Sequence, residues 1–257
     1  MTPEPDLLER ELRVAQRIQR TLVQLAGVDA PGWEITSEYR PARSIGGDFF
    51  DVFPILDPGR PRQLGVVIAD VSGKGISAAL LMAFVRPVVR AALDRSANPV
   101  EALERTNTIL VEERHTGLFV TVLAGVLDLD SGEFTFANGG HEMPLVLPPD
   151  GSEPQAIDGG GTLLGMFPRL GVTLERVRIE PGASIVLYTD GVTDARADGG
   201  ERFGEARFRA ALRRVARPGG PAPCRDVIDE VMAFQGAGEP ADDLALLVLR
   251  RREADAT

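Results

Sequence analysis

Two consecutive helical patterns divide the short, strand-like apolar runs of this chain into two groups. The first pattern covers residues 76–95, with Pro87 inside it as a predicted kink, and Asn98 and Pro99 then mark the start of a second helix. Strands and helices therefore do not alternate one by one, as they would in a sheet built from βαβ units. We predict an α+β fold in which antiparallel sheets carry helices on their outer faces.

Strand-like runs account for most of the remaining chain. They cover residues 33–39, 49–55 and 64–69 before the helix pair, and residues 119–128, 134–137, 144–147, 172–179, 184–188 and 244–249 after it. Asp130, Ser131 and Gly132 form a predicted hairpin turn. Helical patterns over residues 205–215 and 225–234 lie between the last two strands. The chain has no internal repeat and no long linker, which favours a single domain.

An amphipathic helix is predicted over residues 6–25 and is followed by Gly27 and the turn residues Pro31 and Gly32. Its apolar stripe is broader than a coiled-coil seam, so packing on the domain's own core and pairing with a second chain in a homodimer both remain open. We divide the chain into an N-terminal linker-type helix (residues 1–30), one domain (residues 31–252) and a disordered tail (residues 253–257).

The amino-acid composition limits the cellular location and the kinds of binding partner that we predict for the protein. The 257 residues contain no apolar run near the roughly 18 residues that span a bilayer, and charges fill the N-terminus where a signal peptide would be apolar. We therefore predict a soluble, cytoplasmic protein without a membrane partner. A net charge of -10 disfavours nucleic acid as the main partner and leaves proteins and metal ions. The one cysteine, Cys224, allows neither an internal disulfide nor a cysteine zinc site.

Aspartate stands beside glycine or a second aspartate at the edges of four strand-like runs, at residues 46–51, 69–75, 188–191 and 241–244. Any one of these motifs could be an ordinary turn. Two of them follow strongly apolar runs, however, and are placed to converge with the others. Converging carboxylates repel one another unless a cation lies among them. Oxygen ligands favour Mg²⁺ or Mn²⁺, leave Ca²⁺ open and disfavour zinc, and two ions about 4 Å apart suit hydrolysis of a phosphoester.

Taken in order, these motifs resemble those of the bacterial PPM (protein phosphatase 2C-like) serine/threonine phosphatases that regulate sigma factors, in the branch that includes stage II sporulation protein E. The similarity extends over nearly the whole chain. The segments that carry it lie at residues 11–22, Ile45 to Asp51, Asp70 to Gly75, Asn138 to His141, Leu187 to Ala195, and Asp242 with Asp243.

The resemblance implies a PPM phosphatase domain over residues 31–252, with a central β-sandwich flanked by pairs of antiparallel helices in an α/β/β/α arrangement. It also implies a cleft that binds two ions of Mn²⁺ or Mg²⁺. The implied protein ligands are Asp48, Asp70, the backbone carbonyl of Val71, Asp190 and Asp242. Asp51 and Asp243 are interpreted as supporting or alternative ligands, because the family pattern favours the others.

By the same resemblance, the substrate is phosphoserine or phosphothreonine on a STAS-type anti-sigma-factor antagonist. A metal-bridging hydroxide is expected to attack phosphorus directly, without a covalent phosphoenzyme. The N-terminal helix resembles the segment through which sensor or activator proteins control such phosphatases. The alternative is a weakly active or inactive phosphatase-like protein that serves as a binding or scaffold module in a partner-switching pathway.

Several positions depart from the usual family pattern without removing an implied ligand. Ala245 replaces a threonine after the paired aspartates, Phe50 replaces a tyrosine, and Gly139 replaces an alanine. Glu142 and Met143 replace an Asn-Pro pair after the histidine. These departures leave the positioning of the last strand and the level of activity open.

Two further residues have competing interpretations. His141 could donate a proton to the leaving group, although its glycine-rich setting favours a structural hydrogen-bonding role. Lys74 could contact a substrate phosphate or be a solvated loop cation. The Gly73-Lys74 pair does not form a nucleotide-binding P-loop, because Ile68 stands at the position of the first glycine. A diguanylate cyclase site is disfavoured, because Phe49 follows Asp48 where that signature has an acid.

Overall fold

The computed structural model describes residues 5–23, 25, 27–56, 62–113, 117–215, 224–236, 238 and 240–253. In these ranges the helices are α1 (Pro5–Val23), α2 (Ile76–Ser96), α3 (Pro99–Glu112), α4 (Asp190–Asp194), α5 (Gly204–Val215) and α6 (Cys224–Gln235). The strands are β1 (Trp33–Arg40), β2 (Phe49–Pro54), β3 (Gln63–Val71), β4 (Val120–Asp128), β5 (Glu133–Gly139), β6 (Leu145–Leu147), β7 (Gln155–Ala156), β8 (Glu175–Arg178), β9 (Ser184–Tyr188) and β10 (Leu244–Arg251). Residues 254–257 of the predicted tail lie outside the described residues.

The strands form two five-stranded sheets in which neighbouring strands are antiparallel. The first sheet has the order β2-β3-β4-β5-β8, and the second has the order β1-β10-β9-β6-β7. In the second sheet, β1 pairs along its whole length with β10, from Trp33 opposite Arg251 to Arg40 opposite Leu244. The first and last strands of the described residues are therefore neighbours at one edge of this sheet.

Alternation along the strands sorts the apolar side chains into three layers. Phe50, Val52 and Ile68 of the first sheet meet Leu187 and Leu247 of the second between the sheets. The opposite side chains of the first sheet pack against α2 and α3, and those of the second sheet pack against α5 and α6. This period-two alternation with both faces buried is what a helix-covered β-sandwich requires. The predicted α+β fold with the order α/β/β/α is confirmed.

Helix α2 is long and apolar enough to cross a membrane by length and composition alone. In the fold it packs instead on the first sheet, with residues such as Met82, Val85 and Val89 buried there. Its two arginines near the middle, Arg86 and Arg90, pair with Asp51 of β2. These contacts describe a core helix of the sandwich.

Most predicted elements are present, and local chemistry explains their ends. The Asn98 side chain caps α3 by accepting hydrogen bonds from the backbone N–H of Val100 at 3.1 Å and of Glu101 at 3.4 Å. Gly132 turns the β4–β5 hairpin with a φ of 77°. Helix α2 continues through Pro87 as one element.

Several elements begin or end at residues other than those predicted. The strand predicted over residues 172–179 is confined to Glu175–Arg178, and the helix predicted over residues 6–25 ends at Val23. The strand predicted to end at residue 69 reaches Val71, so Asp70 lies inside β3 and has Thr121 of β4 opposite it. The short elements β7 and α4 were not predicted, because two and five residues are too few for a periodic pattern.

Candidate metal centre

The sandwich brings together four aspartates that were predicted as metal ligands. From the first sheet, Asp48 immediately precedes β2, and Asp70 is the penultimate residue of β3. From the second sheet, Asp190 begins α4 after β9, and Asp242 lies just before β10. We refer to these four residues as the acidic cluster.

The carboxyl groups of the acidic cluster act on one another across the two sheets. Burial, together with the charges of Asp70 and Asp243, raises the pKa of Asp48 well above its usual value. Burial and the charges of Asp190 and Asp242 raise the pKa of Asp70 to about 6. The pKa of Asp190 is also raised, by burial and then by the charge of Asp242. These mutual effects place residues from both sheets within one electrostatic environment.

The donor set and its burial fit a divalent cation. Asp48 is 3% exposed, and its Oδ2 atom has no hydrogen-bond partner among the described residues. A buried carboxylate oxygen without a partner is unfavourable unless a proton or a cation neutralises it. Oxygen-only donors suit Mg²⁺ or Mn²⁺. The residues present therefore fit the ions that the family resemblance implies.

The cluster is not a ready-made metal-binding arrangement. In the part of the chain that the structure describes, no three His, Cys, Asp or Glu side chains are grouped to hold an ion. The contacts give the physical reason. Asp48 and Asp70 lie within hydrogen-bonding reach of each other, and Lys74 holds Asp242 in an ion pair of 3.0 Å. In this arrangement three of the four carboxylates are engaged by neighbouring side chains.

Asp243 holds the loop that carries Asp48. Its Oδ1 accepts a hydrogen bond from the backbone N–H of Ala42 at 2.8 Å. Its Oδ2 accepts from the N–H groups of Gly47 at 2.6 Å and Asp48 at 3.3 Å. Both carboxylate oxygens are thus used by the backbone. We interpret Asp243 as a residue that positions Asp48 across the gap between the sheets.

Gly47 allows the same loop to approach the end of β3. A Cβ atom at this position would lie 2.8 Å from the carbonyl oxygen of Val71 and 3.0 Å from the Cβ of Ala78. The absence of a side chain therefore lets the peptide before Asp48 lie against the Val71 carbonyl, which was predicted as a backbone ligand. A larger residue would push the loop and β3 apart.

The departure at Ala245 has a local substitute. Ala245 is fully buried, and its backbone N–H donates to Oγ1 of Thr189 at 3.0 Å. The Thr189 side chain also bonds to Asp48 and lowers its pKa. Thr189, the residue before Asp190, thus supplies a hydroxyl that links the start of β10 to the acidic cluster.

Asp51 lies apart from the acidic cluster. It is 5% exposed and points from β2 toward α2, where its carboxylate pairs with Arg86 at 3.0 Å and with Arg90 at 3.0 Å. Arg90 also stacks over the ring of Phe53, at 4.3 Å from the ring centre. Two arginines already neutralise the negative charge of this carboxylate, so its attraction for a metal ion is weak. The alternative in which Asp51 is a metal ligand is therefore disfavoured by its contacts.

His141 is built into the fold next to the cluster. Its Nδ1 is 2.9 Å from Oγ1 of Thr121, and its backbone N–H donates to Oδ1 of Asn138 at 2.7 Å. The Asn138 amide donates in return to the His141 carbonyl at 3.0 Å. Burial lowers the pKa of the imidazole to about 4. A buried, neutral ring of this kind fits the structural role better than that of a proton donor near neutral pH.

The two predicted interpretations of Lys74, contact with a substrate phosphate and a solvated loop cation, stay predictions, and the structure adds a contact to them. It lies in the turn between β3 and α2, and its Nζ contacts Oδ2 of Asp242 at 3.0 Å and the carbonyl oxygen of Ala241. The side chain is 40% exposed, so the pair lies at the mouth of the cluster. Lys74 is therefore a partner of one predicted ligand.

Two residues near the site were not assigned from the sequence. The buried amide of Gln19 in α1 makes two hydrogen bonds with the backbone of Gly46, one residue before Gly47. Glu142, a half-buried residue, has its pKa raised by burial and by the charges of Asp190 and Asp194. Nothing local in the sequence signals the first contact. The acidic residue at a position usually occupied by asparagine was a visible signal for the second.

Comparison with known proteins places these features in a family. A family model described as Stage II sporulation protein E matches residues 60–252. Protein IcfG from Synechocystis sp. is 29% identical over 269 residues, which cover 94% of this chain and 41% of IcfG. Phosphoserine phosphatase RsbU from Bacillus subtilis is 24% identical over 252 residues, which cover 95% of this chain and 71% of RsbU. The chain thus spans less than half the length of IcfG.

Solved structures agree with the sandwich architecture. The RsbU and RsbW domains of Rv1364c from Mycobacterium tuberculosis match with a TM-score of 0.73 and 28% identity, over 89% of this chain and 62% of that one. The SiaA-PP2C domain of Pseudomonas aeruginosa matches with a TM-score of 0.79 and 22% identity, over 95% and 96% of the two chains. The fold is that of the PP2C phosphatase domains.

Proposed function

Because the chain belongs to the Stage II sporulation protein E family, we propose that it is a metal-dependent protein serine/threonine phosphatase. Its proposed substrate is phosphoserine or phosphothreonine on a STAS-type anti-sigma-factor antagonist. The observation that carries the proposal is the approach of four carboxyl groups, two from each sheet, in which burial and the neighbouring charges raise the pKa values of Asp48, Asp70 and Asp190.

Some residues of the site are proposed to bind the metal ions, and others hold those ligands in position. Asp48, Asp70, Asp190 and Asp242, with the Val71 carbonyl, would hold two ions of Mn²⁺ or Mg²⁺. When bound, such ions neutralise the charge of a phosphoryl group and lower the pKa of the water that attacks it. Asp243 fixes the backbone of the Asp48 loop, and Thr189 ties β10 to it.

Attack by water needs no nucleophilic side chain, and two buried side chains agree with this. Cys224, the first residue of α6, is 2% exposed and contacts Thr36, and burial raises the pKa of its thiol to about 12. His141 is held neutral by burial and bonded to Thr121. We therefore propose direct hydrolysis without a covalent phosphoenzyme.

The substrate class and the control of the enzyme rest on the relatives. RsbU carries the name phosphoserine phosphatase and is similar over most of its length. We propose that the phosphatase domain spans residues 31–252 and that α1 links it to a sensor or activator, or to a second copy of the chain. We also propose a cytoplasmic site of action, where phosphorylated regulators of sigma factors are found.

The decisive experiment compares the wild type with Asp190→Asn. Hydrolysis of para-nitrophenyl phosphate and of a phosphoserine STAS protein is measured with Mn²⁺ and with EDTA. Activity should require Mn²⁺ and should fall to the EDTA background in the variant, because one ligand charge is lost while the shape is kept. Asp229→Asn is the matched control, since Asp229 is exposed on α6 away from the cluster.

The outcomes separate the proposal from its alternative. Activity that ignores both EDTA and Asp190→Asn would remove the metal assignment. A wild type that binds the phosphoprotein but hydrolyses neither substrate would support the scaffold module, for which Ala245 is the sequence feature in favour. Circular dichroism of each variant checks that loss of activity is not loss of fold.

A further inference from the structure

Lys74 joins two motifs that lie far apart in the chain. Its neighbours Gly73 and Gly75 have φ values of 90° and 75°, which are conformations that glycine adopts without strain. The turn directs the ammonium group of Lys74 toward the second sheet, where it contacts the carboxylate of Asp242 at 3.0 Å and the carbonyl of Ala241. Lys74, which follows a strand of the first sheet, thus forms an ion pair with Asp242, which precedes a strand of the second.

The ion pair with Lys74 occupies Oδ2 of Asp242, a carboxylate that the proposed function assigns to metal binding. Asp242 is one of the four carboxylates proposed to hold the ions, and its partner Lys74 also lowers the pKa of nearby Asp190. An ammonium group and a divalent ion compete for the same carboxylate, because both are cations that bind at close range. The absence of a ready-made ligand group among the described residues agrees with this competition.

We propose that Lys74 is an internal competitor for the metal site. Its ammonium neutralises Asp242 when no ion is bound and leaves when an ion binds. This inference rests on the proposed function, since it requires that Asp242 belongs to the metal centre. Metal affinity is then set partly by the β3–α2 turn, and any event that draws Lys74 away from Asp242 strengthens metal binding.

The size of the effect follows from the exposure of the pair. The side chains of Lys74 and Asp242 are 40% and 43% exposed. Ion pairs with this much solvent contact are weak, so Lys74→Met should tighten Mn²⁺ binding by about twofold to fivefold. Methionine keeps the length of the side chain while removing the charge. Lys74→Arg, which keeps a cation in reach of Asp242, should bind Mn²⁺ within about twofold of the wild type.

The test is isothermal titration calorimetry of Mn²⁺ into the wild type, Lys74→Met and Lys74→Arg. Arg43→Met is the matched control. Arg43 and Lys74 line one surface groove, in which the Arg43 side chain lies near Gly75. Among the described residues, Arg43 makes no ion pair with Asp242, whose partner is Lys74. It therefore reports the general effect of removing one positive charge near the site. Tighter binding by Lys74→Met than by Arg43→Met supports the proposal.

Two results would overturn the inference, and they differ in what else they affect. Equal Mn²⁺ affinity in the wild type and Lys74→Met, or an equal change in Lys74→Met and Arg43→Met, removes the competitor role and leaves the phosphatase proposal standing. Absence of Mn²⁺ binding in all four proteins removes the metal centre and the inference with it. Thermal melting without metal confirms that the variants are folded.

Discussion

The side-chain amide of Gln19 and the backbone of Gly46 form a closed pair of hydrogen bonds. The Nε2 atom donates to the Gly46 carbonyl at 2.6 Å, and the Gly46 N–H donates to Oε1 at 3.0 Å. Gln19 lies in α1 and is 6% exposed, whereas Gly46 belongs to the loop that carries Asp48. The Gln19 side chain thus joins the N-terminal helix by hydrogen bonds to the loop that carries Asp48.

Gln19→Leu tests this attachment. It leaves the N–H and the carbonyl of Gly46 without their partners, which should cost about 1–3 kcal/mol of stability. The loss should be local, so hydrogen–deuterium exchange should rise in α1 and in residues 42–48 more than in the sheets. Arg17→Gln on the exposed face of α1 is the control. Unchanged exchange in both segments would show that other contacts hold the helix.

Asp243→Asn should weaken metal binding without removing a proposed ligand. An asparagine offers one acceptor oxygen where the backbone N–H groups of Ala42, Gly47 and Asp48 now use two. Residues that orient metal ligands typically account for about 10-fold to 100-fold in affinity. Calorimetry with Mn²⁺ gives the value.

The control for Asp243→Asn is Asp194→Asn, which removes an equal charge close to Asp190 without touching the loop. A similar change in affinity in both variants would mean that charge, rather than loop position, explains the effect. Retention of wild-type affinity by Asp243→Asn would contradict the positioning role directly.

The raised pKa of Asp70 predicts that removing this carboxylate stabilises the metal-free protein. The pKa is about 6 in the fold against an ordinary value of 3.8, so the folded state binds the proton more tightly than the unfolded chain. The resulting contribution to stability is complete below pH 3.8 and is lost as the pH rises through about 6. Above pH 6 the ionised Asp70 therefore destabilises the fold.

Asp70→Asn should remove this penalty. Denaturation in EDTA at pH 8 should show the variant more stable than the wild type by up to about 3 kcal/mol, with little difference near pH 4. We expect Mn²⁺ to raise the melting temperature of the wild type, and the variant should lose this rise. Buried His141 titrates in both proteins and cancels in the comparison. Equal stability at pH 8 would contradict the shifted pKa.

Gly47→Ala should disturb the site through contact alone. The added Cβ would meet the Val71 carbonyl at 2.8 Å, and overpacking of this kind costs about 1–3 kcal/mol. Activity should fall with metal affinity, because Asp48 and the Val71 carbonyl are moved apart. Gly160→Ala is the control, since a Cβ there has no atom within 4 Å. A Gly47→Ala protein with wild-type stability would show that the loop can yield.

Local alternation and turn chemistry were sufficient to predict antiparallel sheets with helices on their outer faces and the positions of the acidic motifs, whereas the sandwich was implied by the family resemblance. The tertiary contacts were not predictable in this way. Gln19 meets Gly46 across 27 positions, and Asp243 meets Gly47 across 196. No periodic pattern connects residues so far apart. Hydrogen bonds of this kind are set by how the two sheets and α1 are stacked.

The position of Asp51 away from the acidic cluster could have been predicted from the alternation of side chains along β2. Alternation along β2 places Asp51 on the same face as Phe49 and Phe53, which pack under α2. The period of two therefore separates Asp51 from the cluster, and the arginines of α2 that neutralise it are spaced one helical turn apart. The family pattern favoured the other aspartates but still left Asp51 as an alternative ligand.

The pairing of β1 with β10 has a consequence for synthesis on the ribosome. β1 is the edge strand of its sheet and has only β10 beside it, and β10 is the last strand of the described chain. Asp242 and Asp243 precede that same strand, so a nascent chain lacks part of the candidate metal centre until β10 has been synthesised. Contacts this distant also make folding slow. Chains that end before residue 242 should consequently lack the proposed phosphatase activity, and β1 should be exposed to chaperones until its partner strand emerges.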